Sequence, residues 1–144
     1  MPTEPVHKNN PRSFLARLRT GSDMLEEIAR ICAGASVQHA ALSIIGAVDG
    51  ATFGFYDQQA RTYLQLTRQG AYEVIACTGN ITMKDGAPFV HAHVLFGDAD
   101  EAAFGGHLMS PTIVFAAELH VTELAGPPPE RLFDETTGLW LWDH

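Results

Sequence analysis

The chain has 144 residues, of which 46% are apolar and 18% charged, with a formal net charge of -8. That length supports one domain whose core needs neither disulfides nor a structural metal, and the apolar fraction excludes a disordered chain. The acidic balance excludes an extended phosphate-binding surface, which needs clustered Lys and Arg, and no uninterrupted apolar stretch is long enough to span a bilayer as a helix.

Residues 1–10 are polar and contain proline, and they read as a flexible tail ahead of a single domain over residues 11–144. Residues 14–19 alternate as a strand ended by Gly21. Asp23 is placed to cap the next segment, with Glu26 completing a reciprocal box, and Leu25, Ile28, Ile31 and Cys32 make a stripe at helical spacing that stops at Gly34. Residues 38–56 read as two strands with a turn or bend near Asp49-Gly50, and Gly46 and Gly54 mark bulges or close backbone approaches.

Residues 61–66, 72–78, 89–96 and 112–122 are further predicted strands, and Asp85-Gly86 is a hairpin turn leading into the third of these. Along residues 89–96, Phe89, His91, His93 and Leu95 share one face and Val90, Ala92, Val94 and Phe96 the other. Both faces are largely apolar, which predicts a central strand covered on both sides. In residues 112–122 the alternation puts Val114, Ala116, Glu118, His120 and Thr122 together. After the rigid stretch Gly126-Pro127-Pro128-Pro129, an apolar tail with Leu132, Phe133, Leu139, Trp140, Leu141 and Trp142 is expected to dock on the body or on a neighbouring subunit.

The residues that carry chemistry are the histidines. Side chains two apart on a strand point the same way, so His91 and His93 can present their imidazoles to one ion, and Gly105-Gly106 can bring His107 back beside them. Three imidazoles with one open position are a zinc donor set, and nickel, iron or cobalt fit the same ligands. The other reading is three polar core residues, each bonded to its own partner. Glu73 and Glu118 interrupt strands otherwise suited to burial. Each is a candidate base beside metal-bound water or an orienting group for a histidine, against the reading of a salt bridge or interface hydrogen bond. His120 has no such company, and Cys32 and Cys77 read as buried thiols.

The ordered series Gly21-Ser22-Asp23-Met24, Gly46-Ala47-Val48, Phe53-Gly54-Phe55-Tyr56-Asp57, Glu73-Val74-Ile75, Gly79-Asn80-Ile81, His91-Ala92-His93 and Gly105-Gly106-His107-Leu108 closely resembles the plant and prokaryote conserved domain family over residues 14–121. The resemblance implies an α+β fold with a mainly antiparallel sheet, one principal flanking helix and a homotrimer. It also implies, through stand-alone prokaryotic members, a metal held by His91, His93 and His107. Plant relatives join this domain to an AT-hook that enters the DNA minor groove. No such basic segment occurs in this sequence, so the resemblance brings no nucleic-acid contact to this chain alone. The fold is also similar to that of acetolactate decarboxylases, without enough of their pattern to carry over the activity. The expectation is a cytoplasmic, zinc-binding homotrimer that takes a small molecule or a protein partner. The alternatives are a zinc-dependent enzyme acting on a small carbonyl or carboxylate substrate, with Glu73 or Glu118 moving the proton, and a transcription-associated module binding DNA or protein.

Overall fold

Bulges and glycines, more than strand breaks, shape this domain. The computed structural model describes residues 11–143, so the expected tail over residues 1–10 lies outside the described residues. The elements run β1 (Ser13–Leu18), α1 (Met24–Gly34), β2 (Ala40–Asp57), β3 (Thr62–Lys84), β4 (Ala87–Gly97), β5 (Ala103–Leu108), β6 (Val114–Glu123), β7 (Leu132–Asp134) and β8 (Leu139–Leu141). Six of the strands form one antiparallel sheet in the order β1-β6-β2-β3-β4-β5, and a further pairing of β2 with β5 closes the far end on itself. This is the predicted α+β architecture with one principal helix.

The helix begins where its cap predicts. Asp23 accepts from the Glu26 N–H, and the same carboxylate takes the Thr112 N–H and the Ser110 hydroxyl, so one acid caps α1 and ties it to the approach of β6. At the other end Gly34 is the last helical residue, but Ser36 adopts the left-handed conformation (φ 56°) and the Val37 N–H bonds the Cys32 carbonyl. The buried side of α1 is Met24, Glu27, Ile28 and Cys32, with Leu25 and Ile31 only partly covered. Glu27 survives burial because Arg19 and Arg30 both donate to it at 2.8–3.1 Å. Arg30 first and Arg19 after it hold the Glu27 carboxyl down at about 2 against the opposing effect of burial.

The two strands predicted in residues 38–56 are one strand. Gly46 (φ 146°) and Gly50 (φ 112°) accompany register shifts that bend β2 without breaking it. A Cβ on Gly46 would stand 2.2 Å from the Ala116 carbonyl oxygen, so only glycine lets β6 close on the bend. Residues 61–66 and 72–78 likewise join in one long β3. Asp85 and Gly86, both with positive φ, make the two-residue turn from β3 into β4.

Bulges also break the alternation of two strands. A register shift between Ala47 and Val48 against β6 turns Val114 inward and Phe115 outward, so Val114 does not share a face with Glu118 and His120. A second shift between Val74 and Ala76 leaves Glu73 and Ile75 exposed while Cys77 is buried, so these three do not form one covered face. In each case one extra residue inverts the alternation of everything after it.

The core lies between α1 and the inner sheet face, where Ile28 and Cys32 meet Leu42, Ile44, Val74, Ile81, Val94, Phe96, Leu119 and Val121. Each such side chain contributes about 1.5–3 kcal/mol by leaving water. Burial pushes the Cys32 and Cys77 thiols up to about 11 and about 12, as befits inert core residues. After residues 126–129 the chain runs beside the end of β3 through hydrogen bonds of Met83 N–H to the Pro129 carbonyl and Arg131 N–H to the Met83 carbonyl. The β7–β8 hairpin follows. The expected cover of the apolar tail is not found within the protomer: Arg131 is buried, but Leu132, Phe133, Trp140, Leu141 and Trp142 all stay exposed.

Candidate metal centre

The predicted cover on both faces of β4 is not found within the protomer. Ala92, Val94 and Phe96 enter the core, whereas His93 and Leu95 on the other face are exposed and His91 is partly covered. The helix shields only the inner side, so the histidine face is the outer face of the sheet.

Register brings the three histidines together. His93 is the cross-strand partner of His107 on β5, and His91 stands two residues away on the same side. One ring nitrogen from each of His91, His93 and His107 lies within 4.8 Å of the others, and the ring centroids are 5.1–5.6 Å apart. Both glycines before His107 are needed for this approach. A Cβ on Gly105 would lie 1.9 Å from the Val94 carbonyl oxygen, and one on Gly106 would lie 2.5 Å from that of Gly54. Without side chains, β5 fits between β4 and the end of β2, where His107 pairs with Gly54.

The electrostatics keep His91 and His107 as lone-pair donors. Burial, then the neighbouring His91 and His93 and the Arg131 charge, push His107 down to about 4. Burial first, then Arg131 and His93, lower His91 as well. The Nδ1 atom of His107 is buried with no hydrogen-bond partner. An orphaned imidazole nitrogen beside two more imidazoles fits a divalent transition ion in both chemistry and spacing. Three core histidines with separate partners do not match what is found.

The two acids stand apart from this group. Glu73 is exposed on β3, opposite Ala47 and Gly97, at a cleft of about 570 Å³ also lined by Tyr72, Asp98 and Phe115. Glu118 is exposed on β6 between Arg17 and Ile45. Neither joins the histidines in the ligand group found among the described residues. His120 bonds the Ser13 hydroxyl at 2.8 Å on the same outer face, but on β6, separated from β4 by β2 and β3. Cys77 pairs with Val94 on the core side, away from the imidazoles.

Two neighbours of the site were not foreseen. Tyr63 packs its ring 4.8 Å from that of His107. Arg131, only 4% exposed, donates to the side chains of Thr82 (2.8 Å) and Asn80 (3.0 Å), and Asn80 is the cross-strand partner of His91. The one sequence signal for Arg131 is its place as a lone cation in an apolar tail expected to dock.

Among the described residues, no helix is long and apolar enough to cross a membrane. A sequence profile described as the Plants and Prokaryotes Conserved (PCC) domain matches residues 6–125. Among solved structures, a metal-containing protein from Archaeoglobus fulgidus is 42% identical, with a TM-score of 0.87 over 92% of this chain and 94% of that one. A plant- and prokaryote-conserved (PPC) protein from Pyrococcus horikoshii is 35% identical, with a TM-score of 0.87 over 92% of each chain. The bifunctional protein GlmU of Synechococcus sp. (strain JA-3-3Ab) is 29% identical over 137 residues, which are 94% of this chain but only 21% of that protein.

Proposed function

The chain belongs to the Plants and Prokaryotes Conserved (PCC) domain family, and from that premise we propose that it is a metal-binding homotrimer whose three-histidine centre receives a small ligand or a partner group. The observation that carries the reading is the convergence of the His91, His93 and His107 ring nitrogens within 4.8 Å. Zinc is the proposed ion because every donor is an imidazole. The metal-containing relative from Archaeoglobus fulgidus, 42% identical, supports the same reading.

In this reading the three imidazoles hold the ion, the Gly105-Gly106 pair sets the position of His107, and Tyr63 packs against the His107 ring. A bound divalent ion would supply Lewis acidity. Lewis acidity next to an exposed His93 also supports the second reading, an enzyme acting on a small carbonyl or carboxylate substrate, with Glu73 and Glu118 outside the ligand group found among the described residues.

The trimer is supported by the outer sheet face. Leu15, Ile45, Ile75 and Phe115 are 78%, 58%, 54% and 63% exposed, an apolar display that a soluble protomer covers by association. The proposed setting is the cytoplasm, where the two reduced, buried cysteines are at home.

The test is metal content per chain in untagged protein purified without added metal or chelator, beside the double variant His91→Ala/His93→Ala. About one zinc per chain in the parent, and none in a double variant that stays folded, is the expected result. Stoichiometric metal retained by the double variant would sink the assignment.

A further inference from the structure

Among the described residues, Arg131 is the buried arginine, and its charge is unanswered. Arg12 has Glu123, and Arg19 and Arg30 share Glu27. Among the described residues, Arg131 donates to neutral oxygens only: the Thr82 hydroxyl at 2.8 Å, the Asn80 side-chain carbonyl at 3.0 Å and the Trp140 backbone carbonyl at 3.0 Å. Its flat faces are covered by aromatic rings, with the guanidinium carbon 4.8 Å from the Phe89 centroid and 4.7 Å from that of Trp142. A buried cation held by neutral groups alone is costly unless an anion completes its surroundings.

Position says where that anion belongs. Asn80 and Thr82 are the cross-strand partners of His91 and Phe89, so the guanidinium lies on the histidine face of the sheet, one step along from His91. The ligand group contains imidazoles and no carboxylate. A divalent ion there would face the guanidinium with no negative charge supplied by the described residues around them. Arginine is also the side chain whose planar fork matches a carboxylate. Arg131 lies immediately before β7, beyond residue 125 where the segment matched by the family profile ends.

We propose that Arg131 is the anion-binding half of the histidine centre, receiving the carboxylate of a small 2-hydroxy or 2-oxo acid whose adjacent oxygen turns toward the imidazoles. This rests on the metal-site reading for the role of the second oxygen, and on Arg131 alone for the carboxylate. The group acts by holding charge and orientation, with no proton leaving it.

The experiment is titration calorimetry of lactate and of lactamide, its neutral counterpart of the same shape, into the intact chain and into Arg131→Met, each with and without one equivalent of Co²⁺. The parent is expected to prefer lactate at least tenfold, and Arg131→Met to lose that preference while taking up Co²⁺ with unchanged stoichiometry. No preference in the parent, or an undiminished one in Arg131→Met, overturns the proposal. Failure of the parent to take up Co²⁺ would sink the metal reading instead, and the metal-free titrations would still judge Arg131. If circular dichroism shows Arg131→Met unfolded, Arg131→Lys decides: weakened lactate binding with lactamide unchanged supports the fork, and parent-like binding of both overturns it.

Discussion

Acidifying the metal-free protein should weaken it through His107 in a window of its own. The folded chain holds this imidazole at about 4, with burial as the main cause, against 6.5 when it is free. Unfolding therefore takes up a proton between those two values. The stability tied to His107 is complete above pH 6.5 and is lost as pH falls toward 4. At about 1.4 kcal/mol per pKa unit, and with partial protonation at both limits, the loss between pH 6.5 and pH 4.5 comes to about 2 kcal/mol. His91 is lowered in the same direction and adds to the slope. Glu27 works in a separate window, since its carboxyl is held at about 2 from an ordinary 4.5 and its share is lost only below that upper value. The assay is urea unfolding with a chelator present at closely spaced pH, for the parent and for His107→Gln, which keeps a planar polar side chain that does not titrate here. The parent should fall about 2 kcal/mol further than the variant between pH 6.5 and pH 4.5. Parallel profiles would refute the placement of His107 as a neutral, desolvated base.

Gly105→Ala should destabilise by about 1–3 kcal/mol in urea, because its Cβ would sit 1.9 Å from the Val94 carbonyl oxygen and force β5 off β4. Metal affinity, measured against a coloured chelator, should fall at least tenfold with all three histidines still present. The matched Gly34→Ala change has nothing within 4 Å of its Cβ and should leave both quantities unharmed. Glu27→Gln removes the acceptor shared by Arg19 and Arg30 and should cost about 2–3 kcal/mol at neutral pH. The further loss below pH 4.5 should then disappear from its denaturation series. Phe115→Asp, at a side chain 63% exposed on the outer face, should convert the proposed trimer to monomers in light scattering while leaving circular dichroism unchanged. A stable trimer in that variant would move the interface elsewhere on the surface.

Much of this domain follows from local pattern. The cap at Asp23, the helical stripe through Ile28 and Cys32 and the Asp85-Gly86 turn are set by neighbours a few residues apart, and each appears where the sequence puts it. The histidine pair belongs to the same class, because residues two apart on a strand share a side whatever surrounds them. His107 was within reach of the sequence because two glycines before it permit a backbone approach that no other residue tolerates.

What the local pattern does not contain is register. A glycine in an apolar run reads equally as a turn or as a bend, and only pairing with β6 makes Gly46 a bend within one continuous β2. The bulges that turn Val114 inward and leave Ile75 exposed reverse the alternation without altering composition, so they show only once a partner strand is aligned. Arg131 is the furthest from local reasoning. Its bonds to Thr82 and Asn80 span 49 and 51 residues, and nothing near it in the chain marks it as part of the histidine face. The sequence by itself determined the helix, its cap, the Asp85-Gly86 turn and the ligand types, because these depend on φ/ψ preference and periodicity over a few residues. Tertiary structure alone decided which faces meet and which charge stands beside the imidazoles, because those depend on strand register and on the return of a distant segment.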